Sequence, residues 1–330
     1  MTVLVSRGED GHRAEYLRLF SNIVARANSR VHLTRRGWPH LVSTEPLLFM
    51  MVEDAPLEFF LISLFRGLVG LRTAAILFKP SECLAPQAIR WRAKRWGLML
   101  LRRMPRVAVI TIIPFSVEPR LSAIARHAIY DPQLWDLDEP GLSDDEKFAE
   151  QIAAQARGRT VVAAMGMQAQ DKGFGYFSRL LKAFPSLGEQ YLFVAAGIVA
   201  DDSREDARMF AAAGGLLLDR YITAAEMAVF YRSAGLIWCC YSPSRDMASG
   251  IFGRAVQYGT PAIVRASSYL EKLAAEFGHP VVAVPWNDPQ NVEKLLSVRP
   301  PASAPDQRQV LIRRLRIQSV ATIHAMLGLQ

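Results

Sequence analysis

Short runs of uninterrupted apolar residues, each followed by a segment of helical periodicity, recur along the whole chain and set its fold class. Thr2–Ser6, Val31–Thr34, Leu47–Val52, Ala74–Phe78 and Val107–Ile113 are the runs of the first part. Thr160–Gly166, Tyr191–Gly197, Leu216–Asp219, Leu236–Tyr241, Ala262–Val264 and Val281–Val284 repeat the pattern in the second. A strand that is apolar throughout is covered on both faces. Strands alternating with helices build a parallel sheet between two helical layers. The expected fold is therefore α/β, and 330 residues are enough for two domains. Asp136–Glu150 is acidic and carries Pro140-Gly141, so it reads as the join. We expect an N-terminal domain over residues 1–140, a second domain over 141–305, and a terminal helix over 306–330 beyond the stiff Arg299–Pro305 connector.

Composition narrows the setting. The chain has three cysteines, two of them inside the apolar run Leu236–Tyr241, so they read as small buried hydrophobes in a reducing compartment. No two His or Cys residues show metal-ligand spacing, and no metal or cofactor is expected. The N-terminus lacks the long apolar core of a signal peptide, and no uncharged apolar run reaches the ~18 residues of a membrane span. A cytoplasmic location is expected.

Net charge is +8, and the excess is local. Between Glu82 and Glu118 stand Arg90, Arg92, Lys94, Arg95, Arg102, Arg103 and Arg106, with no acid among them. Helical periodicity covers Ala88–Met104, where Ile89, Ala93, Trp96, Leu100 and Met104 form a stripe expected to dock on the sheet. The other side carries Trp91 and Leu98 set among Arg92, Lys94, Arg95 and Arg102. Apolar anchors between cations predict contact with an anionic membrane surface. A solvated basic face with Trp91 under a loop is the plainer alternative. No nucleic-acid motif accompanies the basic residues, so nucleic acid is not an expected partner.

In parallel sheets the loops at the carboxyl ends of the strands bind ligands. The first such loop, Arg7–His12, offers Gly8, Asp10, Gly11 and His12. Glu53-Asp54 follows the third run, where Asp54 supplies a base or, as we favour, the pair caps the next helix. The most informative loop is Tyr241–Pro261. Ser249-Gly250 opens a helix that closes at Gly259, with Pro261 beyond it as a stop. A strand, a polar loop and a helix start with bare amides suit a phosphate. Many such turns bind nothing, and the stretch alone leaves both readings open.

The same stretch resembles the donor-binding loop of GT-B glycosyltransferases, especially family 4. Their pattern runs acidic residue, seven residues, Glu, then Ala and a later Gly-x-Pro. Asp246 stands at the first acidic position, Ser249-Gly250 in the loop, and Ala255 and Gly259-Thr260-Pro261 in the tail. Arg254 replaces the Glu, and arginine cannot accept a bond from ribose. It binds phosphate, pairs with Asp246, or marks altered donor choice or lost activity. Met165-Gly166 and Lys172-Gly173 resemble the loop whose lysine contacts the donor diphosphate, though Met167 replaces a frequent arginine. Asp219–Thr223 is similar to the segment that holds the base, with Tyr221 and Ile222 at its centre.

The resemblance implies a GT-B architecture: two Rossmann-like domains facing across a cleft, with the C-terminal helix crossing back to the first domain. It implies a metal-independent, retaining glycosyltransferase using a nucleotide diphosphate sugar. Asp246 and Lys172 would be catalytic. Gly166, Lys172, Tyr221, Ile222, Asp246, Ser249, Gly250, Ile251 and Arg254 would hold the donor. The loops with Gly8, Asp10, Gly11, His12 and Asp54 would face the acceptor. Together with the basic helix this implies a lipid-linked saccharide acceptor in cell-surface polysaccharide assembly, on the inner face of the membrane. A non-catalytic relative and a nucleotide-sugar epimerase of the same fold are the alternatives.

Overall fold

The structure is a computed structural model that describes residues 2–7, 12–24, 29–32, 41, 43–84, 88–137, 145–289, 292, 296 and 300–329, without the side chains of 12–15 and 29–32. The chain divides into two compact units. Unit 1 takes Met1–Pro132 with Arg313–Gln330, and unit 2 takes Gln133–Ile312. The join expected near residue 140 lies outside the described residues, as do the loop positions Gly8, Asp10 and Gly11.

Unit 1 holds β1 (Val3–Ser6), β2 (Ser29–His32), β3 (Leu47–Phe49), β4 (Thr73–Leu77), β5 (Val107–Thr111) and β6 (His127–Ala128). They form one sheet in the order β2-β1-β3-β4-β5-β6, parallel at every pairing. β1, β3, β4 and β5 are buried along their whole length, as uninterrupted apolar runs require. Arg66, on the helix Pro56–Leu68, is fully buried yet satisfied. Its guanidinium donates to the Leu41, Ser43, Glu45 and Arg72 carbonyls and to Thr73 Oγ1, tying the chain before β3 to β4. Burial lowers its pKa to about 10, still well above neutrality.

Unit 2 holds β7 (Thr160–Met165), β8 (Tyr191–Ala196), β9 (Leu216–Leu218), β10 (Leu236–Cys239), β11 (Ala262–Arg265) and β12 (Val281–Val284). Their order is β12-β11-β10-β7-β8-β9, again all parallel. The chain starts in the middle at β7, winds out to β9, then crosses back to β10 and winds the other way. This is the Rossmann order, in which ligands bind at the carboxyl ends of the strands where the winding reverses, here between β7 and β10. Phe177, buried on the helix Phe174–Ala183, packs on Trp238 at 4.9 Å and stacks on Phe210 at 5.4 Å, fixing the sheet against its helices.

Two expectations for unit 1 are corrected. The helix Ile89–Leu101 docks with the opposite face to the one predicted. Lys94, Leu98 and Leu101 are buried, whereas Ile89, Trp96 and Leu100 are exposed, Trp96 by 70%. Lys94 is 6% exposed and lies 3.7 Å from Glu53 and 3.6 Å from Glu82, two carboxylates that draw its ammonium inward. Lys94 and Leu98 therefore face the interior of the unit and not a membrane. The second correction concerns Glu53-Asp54. The helix Pro56–Leu68 is preceded by Ala55, with no side-chain cap bond. Glu53 accepts instead from the Lys79 amide at 2.6 Å, and the Asp54 carbonyl accepts from Arg7 at 2.6 Å.

The final helix, Pro305–Leu327, starts in unit 2, and its residues from Arg313 belong to unit 1. There Ser319 Oγ accepts from the Tyr130 amide, and His324 Nε2 meets the Ile23 carbonyl at 2.8 Å. Among the described residues no helix is long and apolar enough to cross a membrane.

Candidate functional site

The reversal of winding in unit 2 places two loops side by side, Gly166–Gly173 after β7 and Cys240–Ser249 after β10. Each leads into a helix, Phe174–Ala183 and Gly250–Tyr258. Gly173 explains why the first loop can lie on the second. Its φ is 77°, and a Cβ there would stand 2.1 Å from the Cys240 carbonyl oxygen. Only a residue without a side chain fits that approach. The Ser242 amide then donates to the Asp171 carbonyl at 3.0 Å, and Arg245 reaches Asp171 Oδ2 at 2.6 Å.

Lys172 has no ion-pair partner among the described residues. Its carboxylate neighbour Asp171 is taken by Arg245, and among the described residues no carboxylate lies within ion-pair distance of its Nζ. Burial, and then the Arg245 charge, lower its pKa, with Asp171 opposing. A Cβ on Gly166 would stand 3.4 Å from both Lys172 Nζ and Ile251 Cδ1, so these three residues converge on one spot. Ile251 lies in the first turn of its helix. Ser249 is the N-cap: its Oγ accepts from the Phe252 amide at 3.3 Å and meets Tyr241 Oη at 2.9 Å. The Gly253 amide bonds to the Ser249 carbonyl at 2.8 Å. The Gly250 and Ile251 amides have no acceptor among the described residues, as the first turn of a helix dictates. An ammonium with no carboxylate partner among the described residues, beside a helix N-terminus whose first amides have no acceptor there, has the chemistry that suits an anion.

Other predicted residues have other employment. Gly250 does not open the backbone to a ligand on its Cα side, since a Cβ there would meet Gln133 Oε1. At Gly253 a Cβ would meet the Gln133 carbonyl at 2.6 Å, so the two glycines let residues 133–136 lie against this helix. Arg254 pairs with Asp136 and not with Asp246. Both its Nη atoms reach the carboxylate, the second at 2.9 Å. Gln257 braces the pair, donating to Asp136 Oδ1 at 2.8 Å and to the Gln133 carbonyl at 2.7 Å. Asp246 accepts from the Tyr269 amide at 2.8 Å and pairs with Arg265 at 2.9 Å. His12 begins a helix, with its side chain outside the described set.

Ile222 is buried, while Tyr221 is 74% exposed, which removes core packing as its role. Thr223 caps the helix Ala224–Ser233 through a complete capping box with Glu226. Two further residues complete this edge, one noted in the sequence only as replacing an arginine and one missed there. Met167 and Ile198 follow β7 and β8 directly after Gly166 and Gly197, and both are exposed. With Tyr221 after β9 they set a row of exposed apolar side chains along the carboxyl ends of three adjacent strands. The repeated order of strand, glycine, apolar residue was the signal. A cavity of about 610 Å³ lined by Arg159, Arg232 and Arg308 opens at the amino-terminal ends of β7 and β10, away from these loops. Among the described residues no three His, Cys, Asp or Glu side chains gather as a metal would need.

No family model matches the chain, and no curated protein matches it. Solved structures do. The Anabaena protein HepE in complex with UDP superposes with a TM-score of 0.70 at 13% identity, over 98% of this chain and 100% of that one. The α,α-trehalose-phosphate synthase (UDP-forming) of Burkholderia xenovorans in complex with glucose-6-phosphate gives 0.56 at 14%, over 97% and 77%. WaaG, a glycosyltransferase involved in lipopolysaccharide biosynthesis, gives 0.54 at 12%, over 97% and 95%. The chain has the GT-B fold of these glycosyltransferases.

Proposed function

We propose that the protein is a glycosyltransferase that moves a sugar from a nucleoside diphosphate sugar to an acceptor hydroxyl. The observation that carries this reading is the Lys172 ammonium, which among the described residues has no carboxylate partner, beside the start of the helix Gly250–Tyr258, whose first amides have no acceptor there. In the reaction the acceptor oxygen bonds to the anomeric carbon as the bond from that carbon to the diphosphate oxygen breaks. The electron pair leaves with the diphosphate, where Lys172 and the Gly250 and Ile251 amides offset the growing charge. The acceptor proton passes to a phosphate oxygen of the leaving group, so no protein base is required and configuration is retained. Charge stabilisation by a lysine and helix ends makes the chemistry independent of metal. Tyr221, with Met167 and Ile198, offers apolar surface to the nucleoside.

A lipid-linked saccharide of cell-surface polysaccharide assembly is the acceptor we favour, with the protein peripheral on the inner face of the membrane. Two features support this. WaaG, of the same fold, is involved in lipopolysaccharide biosynthesis, and the basic excess of this chain is concentrated in unit 1 around residues 90–106.

One observation favours a second reading, a nucleotide-binding protein without transferase activity. Arg254 is closed off by Asp136 where the resemblance expects a ribose-binding Glu. Calorimetry separates the possibilities. The wild type should bind UDP or GDP, and Lys172→Ala should weaken the diphosphate about tenfold or more while leaving the nucleoside nearly unchanged, since bonds to charged groups contribute about 1.5–3 kcal/mol. Equal weakening of both, or no binding of any nucleoside diphosphate, would end the transferase reading. Product analysis with labelled donor and membrane extract then distinguishes transfer from binding alone.

A further inference from the structure

Two helices of unit 1 present their apolar side chains to solvent. On Pro56–Leu68 the residues Leu57, Leu61, Phe65 and Leu68 are exposed, spaced four, four and three apart, which is one stripe along the helix. Leu64 and Val69 widen it. The opposite stripe, Phe59, Ile62 and Arg66, is the one buried. The core therefore does not need the outer leucines. On Ile89–Leu101 the exposed stripe is Ile89, Trp96 and Leu100, again with the buried stripe on the other side.

The two stripes adjoin. A Cβ on Gly97 would meet Phe60 at 2.6 Å, and one on Gly67 would meet Met104 at 2.5 Å. Both pairs are 37 residues apart in sequence, so the helices run side by side in the same direction. An apolar face of this extent on one surface marks an interaction site.

Its charge says what it meets. Arg90, Arg92, Arg102 and Arg103 are exposed along the second helix and its end, and among the described residues none has a carboxylate partner. Glu58 is the one acid on the first helix, half-buried, with Arg7 at 4.0 Å. A second copy of the chain docking by two-fold symmetry would set this basic face against an identical basic face, an arrangement of like charges. A surface both apolar and negative fits both properties at once. We propose that the paired outer stripes of Pro56–Leu68 and Ile89–Leu101 form a docking face for an anionic phospholipid surface. Leu61, Phe65 and Trp96 enter the headgroup boundary, and Arg92 and Arg103 pair with phosphates. This deepens the membrane-associated reading given above and rests on it for the acceptor's location, but lipid binding itself needs no turnover.

The test is co-sedimentation of the full chain with phosphatidylglycerol–phosphatidylcholine vesicles and with phosphatidylcholine alone. The wild type should partition to the anionic vesicles and come off as salt rises. The triple variant Leu61→Gln, Phe65→Gln, Trp96→Gln should lose at least tenfold in partitioning with its melting temperature and UDP affinity retained. Arg92→Gln with Arg103→Gln should lose the preference for phosphatidylglycerol. Sedimentation of the triple variant like the wild type would overturn the proposal. So would a wild type that ignores vesicles and is a dimer that the triple variant converts to monomer, because the occupant would then be a second copy. Vesicle binding by a protein that binds no nucleotide would leave this proposal standing and sink the transferase reading.

Discussion

A cation that owns a carboxylate and a cation that lacks one respond differently to an arriving diphosphate. Arg254 belongs to the first kind: Asp136 takes both its Nη atoms and Gln257 holds Asp136 in place. Among the described residues Lys172 belongs to the second, and burial already weakens its hold on its proton. A diphosphate gains more from Lys172, where no existing pair has to be broken. His279 shows the same logic without a ligand. It is buried, its Nε2 has no hydrogen-bond partner among the described residues, Phe252 packs edge-on at 5.6 Å, and burial lowers its pKa to about 4. The folded protein thus holds this proton more weakly than the unfolded chain, whose value is about 6.5. Stability is undiminished above that value and is lost as pH falls through the window down to about 4. The full loss is roughly 3 kcal/mol. Thermal unfolding followed from neutral pH to the bottom of that window should show it, and His279→Gln should remove most of the slope. An identical slope in the variant would assign the acid sensitivity elsewhere. None of these partnerships was legible in the sequence, since Arg254 and Asp136 lie 118 residues apart.

At the scale of elements, the strands were legible and the helix faces were not. A strand buried on both sides leaves one mark, an unbroken apolar run, so β1, β4, β7, β8 and β11 fall within about a residue of their expected limits. β6 has two residues and leaves no such mark. On the helix Ile89–Leu101 periodicity pointed to the stripe of Ile89, Trp96 and Leu100, which is the exposed one. The choice is made by Glu53 and Glu82, which flank the inward position of Lys94 from other elements. Loops follow the same rule. Lys172-Gly173 was recognisable as a turn, but not the reason for its glycine, which is the Cys240 carbonyl. Comparison with Gly214 isolates that reason. Both have positive φ, 77° and 89°, yet nothing lies within 4 Å of a Cβ on Gly214. Gly214→Ala should cost about 1 kcal/mol, the strain of the left-handed conformation alone. Gly173→Ala adds a backbone clash and should cost several times more in urea unfolding, with UDP binding lost. Equal costs would mean that the two loops separate freely and do not position Lys172.

At the scale of the whole molecule the chain returns to where it began. The helix Pro305–Leu327 starts among the residues of unit 2 and ends as part of unit 1. In unit 1 it buries Leu315, Ile323 and Leu327, and its Ser319 hydroxyl accepts from the Tyr130 amide. Burying a side chain of that size contributes roughly 1.5–3 kcal/mol. Three of them approach the whole stability of an ordinary domain, about 5–15 kcal/mol. Unit 1 is therefore built from two distant pieces of sequence, and only the first contains its strands. Truncation after Ile312 should leave β7 to β11 protected in hydrogen exchange while β1, β3, β4 and β5 exchange at rates near those of an unfolded chain. The apolar face of Leu61, Phe65 and Trp96 should lose its vesicle partitioning at the same time, because it is carried on helices that pack on those strands. UDP binding, which the proposed function assigns to Lys172 and the Gly250 and Ile251 amides of unit 2, should survive the truncation. Protected unit 1 strands in the truncated chain would show that the last helix adds nothing to that core, and that residues 2–132 hold their fold without it.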